Sequence, residues 1–462
     1  MSLPATWPIA IAVTGILAAL PVLRRTTYGP LSPFSLYLFV WGSLVAVATL
    51  PIVDLTRIRT GTWLLLLVSS LGFCVGCIHG WFIEQLATRR GIRRVIAGAT
   101  GAYDSVRLKR MHLFGCVALL SLLVLQIHRF GPYALDGWRA VLTGGEGLAF
   151  RRTYLEAGFR AAETTVDSGG LAQGLLTYAL FAIGMQSVVW SGALARSGHR
   201  LQAMLPLLVM AGYAIVAVER SSFVNAFLIF LFSYYYHRQP RDPKAIYGHF
   251  ASYNWRQIGT FGAVLITVFV MVYLPLKLRN PSLTVLGTTG SIVEYFTGPL
   301  GALNVFVSDN PRIVPPHLAW GTYSFWGAAS VALRLGLPIN LPPNWLDFVA
   351  YQTHGDRLSN VYTWLVYFIL DFGWAGVVIV PYLLGCIASS LQYKVLALGR
   401  AAWIGTLAVL MTQIAMSFFA FSLIRDFRFV LFVVVSPWLA KLVRPPAAVR
   451  IPFYPSVTEV GV

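Results

Sequence analysis

Charged residues are scarce in this sequence. Asp, Glu, Lys and Arg together make up 11% of its 462 residues, whereas 57% are hydrophobic and the mean hydropathy is +0.69. Soluble domains carry about 25% charged residues, so this chain cannot cover itself with polar surface in water. Charge is missing altogether from stretches 26–53, 60–83, 168–195 and 401–424, each longer than the ~20 residues that cross a bilayer. These absences predict an integral membrane protein rather than a water-soluble enzyme.

The sequence also lacks the motifs of nucleotide, zinc and serine chemistry. It contains no Walker A sequence, no His-Glu-x-x-His and no Gly-x-Ser-x-Gly. The run Asp371-Phe372-Gly373 matches the magnesium-binding letters of protein kinases, but no glycine-rich loop or strand lysine accompanies it. The cysteines lie in apolar stretches, whereas reactive thiols need an electropositive setting. We therefore expect neither a cofactor nor a metal site. The cysteines are Cys74, Cys77, Cys116 and Cys386.

Uncharged stretches of helical length predict an all-α fold, a polytopic membrane domain of about eleven spans that covers residues 1–462. Helices are expected because backbone groups in lipid must satisfy one another. The predicted spans are 5–23, 33–53, 62–83, 111–128, 171–191, 201–218, 221–237, 257–276, 372–393, 401–424 and 429–440.

Lysine and arginine set the predicted orientation, because short cytoplasmic loops hold the excess of these residues. The first span has no basic residue before it and Arg24-Arg25 after it, which is typical of a retained reverse anchor. With that pair in the cytoplasm, the arginine-rich loop 84–110 is cytoplasmic too, and most of the net charge of +18 falls on this side. Anionic headgroups account for such a face, so membrane lipids are expected partners and nucleic acid is not.

Two predicted loops on the opposite side are too long to be simple connections: residues 129–170 and residues 277–371. Loops of this length are usually functional. In the second loop, the apolar pieces 295–308 and 358–370 are too short to span comfortably. We expect short helices there that lie on the membrane face or dip into it.

Arginines in these outer segments are candidate ligands for a phosphate-bearing substrate, because a guanidinium group binds phosphate oxygens through two parallel hydrogen bonds. The alternative is that each pairs with a local acid or reaches lipid headgroups. Arg220 stands out because it lies in a tight turn between two apolar helices, although Glu219 could simply be its partner. The basic residues placed where substrate could meet them are Arg139, Arg151, Arg152, Arg160, Arg220, Lys277, Arg279, Arg312, Arg334, Arg357, Arg425 and Arg428. From these residues we select Arg151, Arg152, Arg220, Arg279, Arg357 and Arg425 as candidates.

The outer segments also offer acids, a histidine and aromatic rings. Asp371 lies in an otherwise uncharged stretch from Leu358 to Tyr393, so we expect it at the outer end of a span, facing a polar cavity or a cationic partner. His354 is a candidate base, unless its segment is a plain surface turn. Aromatic residues such as Tyr295, Trp320 and Tyr362 suit a glycan groove, but interfacial aromatic belts predict much the same composition.

One run of the sequence is more specific than these compositional signals. The letters Asn-Val-Tyr-Thr at 360–363, then Asp-Phe-Gly at 371–373, Gly376 and Gly385 resemble bacterial oligosaccharide repeat-unit polymerases of the O-antigen polymerase type. Tyr-Phe-Thr-Gly-Pro at 295–299 is similar to their aromatic-Gly-Pro segment. Glu-Arg-Ser-Ser at 219–222 is similar to their arginine turn, with Glu219 where a small residue is expected. The resemblance covers roughly residues 210–395.

The resemblance implies a GT-C-like membrane glycosyltransferase at the periplasmic face of the bacterial inner membrane. Such enzymes move a growing glycan from undecaprenyl diphosphate onto a newly delivered lipid-linked repeat unit, and a chain-length regulator is a conceivable protein partner. The reaction needs a cationic cradle for the leaving diphosphate and a base for the incoming hydroxyl. Candidate catalytic residues are Asp371, His354 and Glu294. Candidate substrate-binding residues are Arg151, Arg152, Arg220, Arg279, Tyr295, Arg357, Asn360, Tyr362, Thr363 and Arg425.

Two other functions remain open at this stage. A ligase that joins finished glycan to lipid A core, or another lipid-linked-sugar transferase, would use the same donor with a different acceptor. A transporter of lipid-linked glycans would need similar groups, but it predicts polar residues inside several spans and often duplicated halves.

Overall fold

A computed structural model describes residues 32–49, 58–89, 103–142, 170–216, 221–238, 285–309, 318–342, 349–350, 358–359, 362–418 and 425–443. The helices of this part are α1 Pro33–Ala48, α2 Thr60–Arg89, α3 Ser105–Leu142, α4 Gly170–Arg196, α5 Arg200–Val216, α6 Ser221–Arg238, α7 Val285–Asp309, α8 Trp326–Arg334, α9 Trp364–Leu396, α10 Ile404–Ala415 and α11 Phe427–Leu439. Two 3-10 turns, η1 Ala401–Trp403 and η2 Ala440–Val443, and an antiparallel pair of two-residue strands, β1 Val349–Ala350 and β2 Leu358–Ser359, complete it.

The predicted helical architecture is confirmed, and the chain is a helical protein of membrane character. Within the described residues, four helices are long and apolar enough to cross a bilayer: Thr60–Thr88, Ser105–His128, Gly174–Arg196 and Trp364–Leu396. On α2 the side chains of Leu71, Val75, Ile78 and Phe82 are exposed. Their spacing of three and four residues places them on one face, and such an exposed apolar stripe is suited to lipid.

Most predicted spans coincide with helices, but their ends differ. Spans 5–23 and 257–276 lie outside the described residues. Helix α3 continues to Leu142, past residue 129, where the first long loop was predicted to begin. Helix α10 stops at Ala415, inside predicted span 401–424. In the second long loop, the apolar piece 295–308 belongs to the 25-residue α7, which is longer than the short helices expected there.

A ladder of glycines joins α2 to α9. A Cβ atom at Gly72 would lie 2.9 Å from the carbonyl oxygen of Val378, and one at Gly76 or Gly80 would overlap the backbone carbonyl of Tyr382 or Cys386. Small residues four apart let two backbones approach closely within a membrane. The Gly-x-x-x-Gly-x-x-x-Gly pattern was present in the sequence but played no part in the predictions.

The same pairing shows that the two helices run parallel. Each contact joins residues that are 306 positions apart, and Glu84 accepts a hydrogen bond from Ser390 with that same separation. A constant separation arises only when both chains rise in the same direction. We name the two ends of the bundle after residues near the ends of α2. The Arg59 end is where α2 begins. The Lys394 end is the opposite one, where Lys394 pairs with Glu84 of α2 at 3.5 Å.

Helix α9 is broken at Gly373 and folds back on itself. Gly373 has φ 65° and ψ −159°, outside the helical region. Phe73 of α2 meets both Gly385 and the ring of Trp364, whose centroid is 6.4 Å away. In a straight helix, Trp364 and Gly385 would be separated by about 30 Å. Residues 364–372 are therefore a half-helix that starts near the centre of the bundle, and residues 374–396 form the long span.

The start of this half-helix is held at the centre by a second helix end. The backbone N–H of Trp364 donates to the carbonyl of Ser417 at 3.1 Å, just beyond the end of α10. The indole N–H of Trp41 in α1 donates to the Ser417 hydroxyl at 2.9 Å. An unsatisfied backbone group in lipid costs several kcal/mol, so this junction lets two helices end inside the bundle.

The glycine ladder predicts that the same Gly→Ala substitution has different effects on stability at Gly76 and at Gly174. Gly76→Ala places a methyl group against the backbone of Tyr382, so it should lower the free energy of unfolding by about 1–3 kcal/mol. Gly174→Ala, where nothing lies within 4 Å, should leave stability unchanged or raise it by up to about 1 kcal/mol because alanine favours helices. Thermal unfolding of both variants in one detergent measures the difference. Equal effects would contradict close packing at Gly76.

Candidate functional site

The candidate site lies where three chain segments meet on the side of the half-helix that faces the Arg59 end. They are the half-helix 364–372, the turn 318–325 that leads into α8, and residues 425–428 at the start of α11. By the α2 pairing, Gly373 is level with Leu67, roughly 10 Å inside the Arg59 end. The site is therefore built into the bundle and not on its rim.

Asp371 is fully buried and its carboxylate is held by backbone amides. One oxygen accepts the N–H of Tyr323 at 2.9 Å, and the other accepts the N–H of Ser324 at 2.6 Å. Hydrogen bonds to an ionised acceptor are about twice as strong as neutral ones. Together these hydrogen bonds offset the cost of removing the charge from water. The sequence predicts a cationic partner or a polar cavity for Asp371, and backbone amides are found instead.

The main chain of the same turn completes the broken helix. In an α-helix each carbonyl accepts a hydrogen bond from the N–H four residues later. The break at Gly373 therefore removes the N–H donors that would otherwise bond the carbonyls of Leu370 and Asp371. Instead, Ala319 N–H donates to the Leu370 carbonyl and Trp320 N–H to the Asp371 carbonyl, each at 3.0 Å. The turn thus replaces the missing helical hydrogen bonds.

This turn holds an aromatic residue in an unusual conformation. Trp320 has φ 49°, the one positive φ among the described non-glycine residues, and Gly321 follows with φ 94°. A bulky residue in this region is strained, and such strain tends to occur at functional sites. The Trp320 side chain is 71% exposed, so the turn presents a large aromatic surface close to Asp371.

Arg425 contacts the half-helix through its side chain and α8 through its backbone. Its guanidinium group lies over the ring of Tyr367, 4.6 Å from the centroid, and Tyr367 is one helical turn before Asp371. A Cβ atom at Gly327 in α8 would lie 2.5 Å from both the Arg425 carbonyl oxygen and the Phe427 amide nitrogen. Glycine is therefore required for α8 to pack against the segment that carries Arg425.

Arg428 lies three residues further on, in an aromatic environment. It pairs with Asp426 at 2.6 Å, donates to the Tyr213 hydroxyl at 3.2 Å and lies over the ring of Phe181, 5.0 Å from its centroid. Asp426 also caps α11 by accepting the Arg428 N–H at 2.9 Å. Cation–π contacts and the ion pair fix the position of this guanidinium group.

The structure brings only some of the predicted site residues together. Asp371 belongs to the half-helix and accepts hydrogen bonds from the turn 318–325, and Arg425 contacts the half-helix through the ring of Tyr367. Tyr362 and Thr363 are buried at the other end of the half-helix, about 12 Å along the axis from Asp371, where the Tyr362 ring contacts Phe306. Glu294 and Tyr295 belong to α7, but their side chains lie outside the described part. Outside it as well are Arg151, Arg152, Arg220, Arg279, His354, Arg357 and Asn360.

Three residues of this site were not among the predicted site residues: Gly327, Tyr367 and Arg428. Arg428 was counted with the outer basic residues but not selected, and its position in the run Arg-Asp-Phe-Arg at 425–428, directly before an apolar stretch, is a signal that could have selected it. Gly327 and Tyr367 carry no sequence signal, because their roles depend on contacts between distant segments.

Within the described residues, no three His, Cys, Asp or Glu side chains are grouped so that they could hold a metal ion. Comparison with known proteins found no matching family model, no matching curated protein and no matching solved structure. A functional assignment therefore depends on the sequence pattern and on the chemistry of this site.

Replacing Asp371 by Asn should destabilise the turn while preserving side-chain size. A neutral amide forms weaker hydrogen bonds to the two backbone N–H groups and directs its own NH2 at one of them, so the free energy of unfolding should fall by about 1.5–3 kcal/mol. Asp309→Asn, at an exposed helix end, is the matched control. Thermal unfolding and protease cleavage within 318–325 report the effect. If the Asp371→Asn variant were as stable and protease-resistant as wild type, the charge would be unimportant there.

Proposed function

We propose that this chain is an oligosaccharide repeat-unit polymerase of the O-antigen polymerase type, a GT-C-like glycosyltransferase with about eleven spans. It transfers a growing glycan from undecaprenyl diphosphate onto a lipid-linked repeat unit at the periplasmic face of the bacterial inner membrane. One observation carries the proposal: within the run that resembles these polymerases, residues 364–372 form the half-helix and Gly373 its break, and this element contacts Arg425.

The distribution of charge supports the proposed orientation. Among residues with described side chains, basic residues at the Lys394 end greatly outnumber acids, whereas the two are nearly balanced at the Arg59 end. The Lys394 end carries Arg107, Lys109, Arg110, Arg196, Arg200, Lys394, Arg400 and Lys441 against Glu84 and Asp104. The Arg59 end carries Arg59, Arg334, Arg425 and Arg428 against Asp309, Asp371 and Asp426. Excess Lys and Arg favour a cytoplasmic location for the Lys394 end, and the candidate site then faces the periplasm.

The proposed reaction uses the site residues in distinct ways. The acceptor hydroxyl attacks the anomeric carbon of the donor glycan, the bond from that carbon to the diphosphate oxygen breaks, and the hydroxyl proton passes to a base. Arg425 stabilises the negative charge that develops on the departing diphosphate. Both Asp371 oxygens already accept backbone hydrogen bonds, which favours a positioning role for Asp371 and leaves His354 and Glu294 as candidate bases.

A transporter of lipid-linked glycans is the second candidate, and one observation favours it. The half-helix 364–372 starts, and α10 ends, inside the bundle, and transporters often build substrate sites from such interrupted helices. A glycan ligase would use the same donor chemistry as the polymerase with another acceptor. The products of a single assay separate these three functions.

The test is a reconstituted reaction with a synthetic undecaprenyl-diphosphate oligosaccharide and no nucleotide. Polymerase activity gives a ladder of lengthened glycans and releases undecaprenyl diphosphate. Arg425→Lys keeps the charge but loses the planar fork, so we expect at least about a tenfold lower rate. Arg334→Lys, exposed at the end of α8, should match wild type. Flipping of the substrate without lengthening would indicate a transporter, and transfer only to lipid A core would indicate a ligase.

Single cysteines test the proposed orientation in a cysteine-free background. Arg334→Cys, in the second long loop, should react with a membrane-impermeant thiol reagent in cells whose outer membrane alone is permeable. Arg107→Cys, whose native side chain is exposed at the Lys394 end, should react only after the inner membrane is opened. Labelling of position 107 in intact cells would invert the orientation and place the candidate site in the cytoplasm.

A further inference from the structure

At the Lys394 end, two of the described cations form no ion pair with a described acid. Of the acids with described side chains at this end, Glu84 pairs with Lys394 at 3.5 Å and Asp104 with Arg107 at 3.4 Å. No ion pair within the described part of the chain engages Arg400 or Lys441. Two cations left unneutralised beside a membrane surface attract anions.

Arg400 lies in a turn that partly buries its guanidinium group. Its backbone N–H donates to the Lys394 carbonyl at 2.9 Å, which fixes the turn between α9 and η1. The Arg400 Nε atom is shielded from solvent and has no hydrogen-bond partner among the described residues. Leaving a charged donor unsatisfied is costly. The residue as a whole is only partly buried, so the rest of its guanidinium group can meet an anion supplied from outside the chain.

A stripe of apolar side chains leads away from the same place. Val434, Trp438 and Leu442 are all exposed, Trp438 to 67%. At intervals of four residues they follow one face of α11 and continue onto η2. Lys441 lies over the Trp438 ring, 4.3 Å from its centroid. The stripe ends in η2, which contacts η1, and Arg400 directly precedes η1.

We propose that this surface binds an anionic glycerophospholipid. The phosphate group accepts hydrogen bonds from Arg400 and Lys441, Trp438 lies at the level of the headgroup, and one acyl chain follows the Val434–Leu442 stripe. The combination of unneutralised cations with an exposed apolar stripe identifies the occupant, since a soluble phosphate would use only the cations. The site is at the opposite end of the bundle from Arg425 and does not depend on the proposed polymerase activity.

Thermal unfolding of the purified full-length protein in a non-ionic detergent tests this site, with phosphatidylglycerol titrated into the sample. Wild-type protein should show a saturable rise in Tm that phosphatidylcholine and inorganic phosphate do not reproduce. Each basic residue near an anionic surface contributes about 1 kcal/mol, so Arg400→Gln/Lys441→Gln should weaken the apparent affinity by about 30-fold.

A second double variant separates this site from a general attraction between charges. Arg196→Gln/Arg200→Gln removes the same charge from exposed positions at the same end and should weaken the affinity clearly less. Equal losses in the two double variants would overturn the site. So would an equal rise in Tm with phosphatidylcholine or with inorganic phosphate. Unfolding of each variant without lipid shows whether the substitutions themselves change stability.

Discussion

A broken helix inside a membrane bundle needs hydrogen-bond partners for the backbone groups that the break releases. The rest of this site depends on the segment that supplies those partners. Here the turn 319–324 supplies them. Its amides bond the carbonyls of Leu370 and Asp371 and both oxygens of the Asp371 carboxylate. Without this turn, the half-helix would expose a carboxylate and two carbonyls to a medium without water. The turn leads directly into α8, so the same contacts position the start of α8. Gly327 of α8 packs against the backbone of Arg425 and so positions that residue.

The predictions from sequence succeeded where hydropathy alone decides the outcome. Charge-free stretches located most of the helices, because a bilayer leaves a long apolar segment no other regular structure. Helix ends were less predictable. Residues 364–370 are as apolar as the span that follows, and only the positive φ of Gly373 separates them. A glycine is compatible with both a continuous helix and a break, so the choice between them is made by tertiary contacts such as that of Trp364 with Ser417.

The candidate site was predictable only in part for a related reason. Asp371 was conspicuous because a lone carboxylate in an apolar stretch demands an explanation. Its partners were not predictable, since backbone amides exist at every position and carry no sequence signal. Arg425 was identified through its charge, but Tyr367 and Gly327, which hold it in place, look like ordinary residues of apolar segments. Charged groups in apolar stretches can be identified from a sequence, whereas the residues that orient them depend on the three-dimensional contacts.

The parallel pairing of α2 with α9 has a consequence for biogenesis. The glycine ladder of α2 is synthesised 306 residues before the face of α9 that it contacts. At typical translation rates of about 5–20 residues per second, α2 is inserted about 15–60 s before its partner exists. During that interval the ladder faces lipid, another early helix or an insertion factor, any of which must leave before the close backbone contact can form. This closely packed helix pair is therefore assembled late, and a ribosome that stalls before residue 364 would leave the ladder of α2 unpaired.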